Sequence, residues 1–176
     1  MKRIPLKYLA GLIDGEGCID LNVTTQVTGS WTIRPRVRIA MAVSSRDLLC
    51  MLQQTHGGHL SHRRSKNPAW QDSLAWEVAG YKRCCMLLRQ VVNHLILKKE
   101  QAQLCLWMER NIKNRQVSTE VRDALRDEMK LMKKDPHRLS EKAQQRVLGI
   151  ENGIAEKRYT RCRGNPGWEA IVGPAD

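Results

Sequence analysis

The chain has no apolar run approaching ~18 residues, which excludes a membrane-spanning helix of ordinary length. It has no phenylalanine, and with 18 arginines that bias points to a GC-rich coding sequence. It has no Cys-x-x-Cys pair, so its six cysteines (Cys18, Cys50, Cys84, Cys85, Cys105 and Cys162) carry no zinc-ribbon or dithiol signature. Most of them fall on apolar helix faces, where cysteine packs as a small hydrophobe, and free thiols are expected rather than disulfides. His56, His59 and His62 recur around Gly57-Gly58 without a fourth ligand at zinc spacing, so they are read as turn and strand residues. Only Met1-Lys2-Arg3-Ile4 precede the first patterned stretch, too little for a signal or transit peptide, and synthesis in the compartment of action is expected. Acidic side chains are also scarce: 18 Asp+Glu against 30 Lys+Arg leave a formal charge of +12.

That excess is concentrated in the middle of the 176-residue chain. Residues 1–60 hold 7 basic and 4 acidic side chains, residues 61–116 hold 11 and 4, and residues 117–176 hold 12 and 10. A central surface built for a polyanion follows, most often nucleic acid. At 41% hydrophobic the chain has enough apolar mass for a packed core.

Pro5 suits the first turn of a helix carrying Leu6, Leu9, Ala10, Leu12 and Ile13, which must stop at Gly15 or Gly17. Residues 18–28 alternate as a strand, Thr28-Gly29-Ser30 turns, and a second strand carries Ile33, Val37, Ile39, Met41 and Val43 inward. Ser44 or Ser45 is placed to cap a helix that Gly57-Gly58 stops. Strands follow at 59–65 and 72–79. A helix from Gly80 then repeats Cys84, Leu87, Leu88, Val91 and Leu95, and three further helical patterns lie beyond it. The order α-β-β-α-β-β-α predicts an α+β fold with one four-stranded antiparallel sheet, helices on one face and the other face open.

In the first two strands the apolar residues fall on odd numbers. The even-numbered face carries Asp20, Asn22, Thr24, Gln26, Arg34, Arg36 and Arg38, with same-face neighbours ~6.6 Å apart. The major groove admits a two-stranded ribbon, where Arg reads guanine and Asn or Gln reads adenine, so this face is suited to carry sequence information. Three arginines without a facing carboxylate row favour a ligand over an ordinary solvated face. Arg63, Arg64 and Lys66 extend the positive surface, and Arg63 falls on the open side if Leu60 points inward. The basic residues of the late helices read as a solvated face.

Leu9-Ala10-Gly11-Leu12-Ile13-Asp14-Gly15-Glu16-Gly17 resembles the signature of the LAGLIDADG homing endonucleases, with Gly15 for Ala and Glu16 for Asp. Trp76-Glu77-Val78-Ala79-Gly80 and Leu97-Lys98-Lys99-Glu100-Gln101-Ala102 are similar to that family's fourth strand and its later basic turn. The resemblance covers roughly residues 4–115. It divides the chain into an endonuclease core (1–115), a helical extension (116–157) and a basic, loosely ordered tail (158–176). Gly11 and Gly15 lie on one helix face, where missing side chains permit two helices to pack closely. The resemblance implies a dimer contact through Leu9, Gly11, Leu12 and Gly15, and a divalent metal, Mg2+, on the Glu16 carboxylate and the Gly15 carbonyl. It assigns Asp14 a structural role. It implies an active-site lysine at Lys98, with Lys99 as the one-residue alternative, and a basic residue near the scissile phosphate at Arg63. The family's water-positioning Gln is absent; Ser44-Ser45-Arg46 occupies that region, so Ser45 or Arg46 is expected to replace it.

One motif copy implies a homodimer acting on a long, nearly palindromic DNA duplex with a double-strand break. Leu148-Gly149-Ile150-Glu151 is only a faint echo of a second copy. The same scaffold also serves intron RNA-splicing maturases, which would make RNA the partner, and non-cutting DNA-binding regulators. No membrane partner is expected, and the composition favours a bacterial or phage cytoplasm, or an organelle of synthesis.

Overall fold

The computed structural model describes residues 4–25, 31–67, 69–113 and 117–163, of which 157–163 by backbone alone. The elements are α1 (Leu6–Glu16), β1 (Gly17–Thr25), β2 (Trp31–Ala42), α2 (Arg46–His56), β3 (His59–Arg63), β4 (Ser73–Ala79), α3 (Tyr81–Val91), α4 (Lys99–Asn111), α5 (Thr119–Lys134) and α6 (Ser140–Arg163). Short 3-10 turns lie at Val43–Ser45 and Val92–His94. The predicted α-β-β-α-β-β-α order and its three following helices are all present. No described helix is long and apolar enough to cross a membrane.

All strand pairs are antiparallel, in the order β1-β2-β4-β3. The register pairs Ile19 with Val37, Ile39 with Trp76 and Trp76 with Leu60, so the apolar positions of all four strands share one face. Ile19, Ile33, Val37, Ile39, Trp76 and Val78 are buried there against Leu9, Ala10 and Ile13 of α1 and Cys84, Leu88 and Val91 of α3. Pro35 is tolerated inside β2, a strand with neighbours on both sides, because β4 has ended beside it. Its carbonyl accepts from the Gly80 amide at 2.9 Å, and its hydrogen-less nitrogen turns to that same side, where no ladder bond is lost. At Gly58 (φ +95°) an added Cβ would sit 2.6 Å from the Glu77 carbonyl oxygen, so α2 hands over to β3 only through glycine.

Three expectations change. The helix from Gly80 ends at Val91, and Leu95, though buried, lies beyond the 3-10 turn. Ser45 is the N-cap of α2 but its side chain makes no capping bond. The helical extension packs onto the preceding elements, where Leu125, Met129, Met132, Ala143 and Val147 join Leu104 and Met108 in one core. α6 also carries the backbone through Arg163, past the expected start of the tail, and residues 164–176 lie outside the described residues. Cys18, Cys50, Cys84, Cys85 and Cys105 are free, the last three in the core.

Candidate functional site

Helix α1 passes into β1 without a linker. The Gly17 amide bonds the Ile13 and Leu12 carbonyls, and a Cβ on Gly17 would lie 2.6 Å from the Ile13 oxygen. Glycine there is a steric requirement of this chain. At Gly11 and Gly15 an added Cβ would meet nothing within 4 Å among the described residues, whose packing does not demand glycine there. Tyr8, Gly11, Leu12 and Gly15 follow i, i+3, i+4, i+7 along one side of α1, and Tyr8 is 52% exposed. Leu9, expected on that side, points the other way and is wholly buried in the core, so it is unavailable to a second copy.

Glu16 is the last residue of α1, exposed and without an ion pair among the described residues. The segment before α4 is drawn against this helix end by Asp14. Its carboxylate accepts from the Ile96 amide at 2.7 Å and the Lys98 amide at 2.9 Å. The Lys98 ammonium donates to the Asp14 carbonyl oxygen, which brings it to the turn that ends in Glu16. Lys99, the alternative, is exposed and makes no such bond. Ile96 and Leu97, 84% and 52% exposed, are displayed on the same turn.

No group of three or more His, Cys, Asp or Glu side chains among the described residues is placed to hold a metal. His56, His59 and His62 do not converge; His62 pairs with Asp72 at 3.0 Å. What α1 offers is one exposed carboxylate beside the exposed backbone of Gly15. That is a hard-oxygen set suited to magnesium, which keeps waters and takes its remaining ligands from phosphate or a second carboxylate.

The open sheet face follows from the register. Asn22 lies opposite Arg34, Asp20 opposite Arg36, and Cys18 and Glu77 flank Arg38. Arg63 falls on this face across from Ser73, as Leu60 pairs with Trp76 on the other. Between the two basic ends the floor consists of small residues: Ala40, Ala42, Ser61, Ser73 and Ala75.

The arginine row is not free of carboxylates. Arg36 donates from Nε and Nη2 to the two oxygens of Asp20, both at 2.8 Å, and its Nη1 lies 3.5 Å from Glu77. The Asp20 bond raises the Arg36 pKa. Lys133 of α5 approaches Asp20 at 3.9 Å. The expectation of three unpaired arginines is therefore wrong for Arg36, because alternation assigns a face but not the residue across the strand. Arg34 is exposed and unpaired among the described residues. Arg38 is half-buried, with its Nε enclosed and unpartnered. Thr24 and Thr32 bond each other across the ribbon at 2.9 Å. Gln26 lies outside the described residues. Arg63, Arg64 and Lys66 are exposed, and their loop is tied by Asp72, which accepts from the Ser65 amide at 2.9 Å. Ser45 and Arg63 make no hydrogen bond or ion pair with Glu16 or Lys98.

Comparison with known proteins places this geometry in context. The description of the LAGLIDADG endonuclease family matches residues 9–107. Among solved structures, the homing endonuclease I-CvuI in complex with the I-CreI target is similar with a TM-score of 0.59 and 22% identity, over 82% of this chain and 92% of that one. An archaeal intron-encoded homing endonuclease complexed with DNA is similar with a TM-score of 0.54 and 17% identity, over 72% and 82%. The meganuclease I-AabMI bound to uncleaved DNA has a TM-score of 0.54 and 18% identity, and here 78% of this chain covers only 50% of that one. No curated protein matches.

Proposed function

The chain belongs to the LAGLIDADG endonuclease family, and from that premise we propose that two copies form a magnesium-dependent enzyme cutting both strands of one long, nearly palindromic DNA site. The observation that carries this reading is that Asp14 gathers Lys98 to the same helix end that presents Glu16, beside an uncovered glycine strip. The strip Tyr8–Gly11–Leu12–Gly15, with Ile96 and Leu97 beside it, is the surface for the second copy. The half-length cover of I-AabMI agrees with one chain supplying half of a complete enzyme.

Hydrolysis joins a water oxygen to phosphorus as the bond to one flanking sugar oxygen breaks. Glu16 and the Gly15 carbonyl would hold the metal, which when bound supplies Lewis-acid polarisation of the phosphate and activation of water. Lys98, fixed through its amide and ammonium by Asp14, places a positive charge where negative charge develops. Phosphate contacts by Arg63, Arg64 and Lys66 would set position, and Asn22, Thr24, Gln26, Arg34, Arg38 and the edge of Arg36 left free by Asp20 would meet base edges. Ser45 or Arg46 would stand in for the missing Gln by position in the chain.

The test is cleavage of a randomised palindromic duplex library with and without magnesium. Glu16→Gln is expected to keep duplex binding and lose cutting. Normal cutting by that variant overturns the metal assignment. Binding without cleavage by the unaltered protein, or salt-dependent preference for RNA over duplex DNA, overturns the nuclease reading.

A further inference from the structure

Beyond the open face, the sheet has a gap. β4 ends at Ala79, across from Arg36, so the stretch of β2 from Trp31 to Pro35 has no strand beside it on that side. The gap is a cavity of about 560 Å³ bounded by β2, the start of α3 and the end of α4. Ile33, Ile112 and Val117 line its apolar part, and Arg34, Lys82, Arg83 and Lys113 line it with charge. All four cations are exposed, and none pairs with a carboxylate among the described residues. No acidic side chain among the described residues lines the cavity. Four like charges around one hollow raise the local positive potential and favour an anion there.

Two further features agree. α3 starts at the cavity with Gly80 as N-cap, no capping side chain and no acid in its first turn. Its first intrahelical bond is from Cys84 to Gly80, which leaves the amides of Tyr81, Lys82 and Arg83 without helical partners. The Trp31 ring already carries the Arg122 guanidinium, 4.8 Å from its centroid. A stacked base is therefore a poorer occupant of that wall than a phosphate.

We propose that this cavity takes a sugar–phosphate segment of the bound duplex, as an anchor beyond the base-reading face. The choice of duplex over a free nucleotide rests on continuity, since Thr32 and Arg34 belong to both the cavity wall and the open face. The inference depends on the DNA-binding reading above. Lys82 and Lys113 supply charge without carrying sequence information.

The test is a salt titration of the full chain on a mixed-sequence duplex, comparing wild type, Lys82→Ala/Lys113→Ala, and the control Lys134→Ala/Lys142→Ala. Each phosphate contact contributes about 0.9 to the slope of log K against log salt. The cavity variant is expected to lose about 1 to 2 from that slope and bind about tenfold more weakly at moderate salt, with the control losing less than half as much. Base preference in a library selection should not change. Equal slopes in cavity variant and control overturn the proposal while leaving duplex binding intact. Absence of duplex binding by the wild type would overturn both readings together. A parallel arm follows the Tyr81–Arg83 amide resonances with thymidine monophosphate. If these shift while the duplex slopes stay equal, the site serves a free nucleotide and the duplex assignment falls.

Discussion

Asp20→Asn tests whether Arg36 is a structural tie or a pre-oriented reader. In the native pair, Nε and one edge of Nη2 are committed to Asp20 at 2.8 Å, and Nη1 has only the long 3.5 Å approach to Glu77. The outer edge, Nη1 with the second hydrogen of Nη2, remains to face guanine O6 and N7. The side chains of Arg36 and Asp20 are 24% and 19% exposed. Bidentate geometry places the pair near the top of the range for partly exposed pairs, about 1 kcal/mol, which lowers Tm by about 2–4 °C in a chain of this size. The effect on recognition should exceed the effect on stability. An amide holds at most one of the two bonds, so Arg36 is released to any nearby phosphate. Non-specific affinity should rise, with up to ~0.9 added to the salt slope. Discrimination at one base pair per half-site should fall by about tenfold or more, the worth of one good bidentate contact. Arg36→Ala should lose the same base preference without the gain in non-specific binding. The assay is selection and sequencing of bound and cut duplexes for each variant, beside thermal unfolding. Unchanged base preference in both variants refutes the pre-orientation of Arg36 and leaves the pair as scaffold.

Two other outcomes follow from the geometry. Gly17→Ala should lower stability by about 2 kcal/mol or more, since its Cβ would meet backbone rather than a movable side chain; Gly11→Ala, inside α1 and unobstructed, should stabilise the isolated chain by about 0.5–1 kcal/mol yet weaken self-association measured by sedimentation. Glu128, 1% exposed, accepts from Arg138 Nε and Arg146 Nη1 at 2.8 Å each; burial pushes its carboxyl up, and the two arginines more than offset this and hold it below the ordinary range. A depressed carboxylate stabilises above its unfolded pKa of about 4.3 and loses that contribution as pH falls through the native value, so Glu128→Gln should lower Tm by roughly 3–6 °C near neutrality, with the gap closing below about pH 4 in thermal scans.

The sequence made visible whatever depends on periodicity. Alternation put Ile19, Ile33, Val37 and Ile39 on one face and Arg34, Arg38 and Arg63 on the other, and the register agrees for each. What depends on a partner across space was hidden. Asp20 and Arg36 lie on the same face by parity, but their pairing is fixed by a hairpin register that alternation does not give. Leu9 matched its motif position, yet a motif does not say which side of α1 meets the chain's own core. The bonds from Asp14 to the segment before α4 join residues far apart in sequence, and no local pattern announces them. The cavity beside β2 escaped for the same reason. Lys82 and Lys113 are ordinary surface lysines until the early end of β4 puts them around one hollow.

The end of α1 shows why a lone chain is an incomplete catalyst on the proposed reading. Its glycines at positions 11 and 15 leave space that nothing among the described residues enters, and its Glu16 carboxylate has neither a second acid nor an ion-pair partner among them. Both deficits occur on one helix within two turns. A single apposition of two such helices about a dyad would remedy them together: the bare strips fill each other's space, and the two carboxylates meet where a divalent cation needs more than one hard donor. The same dyad would orient two open faces over opposite halves of a duplex, so the geometry that would complete the metal site would also set the symmetry of the DNA to be cut. Substitutions in the strip should for that reason lower cleavage and self-association in parallel, while binding by the open face of each chain persists.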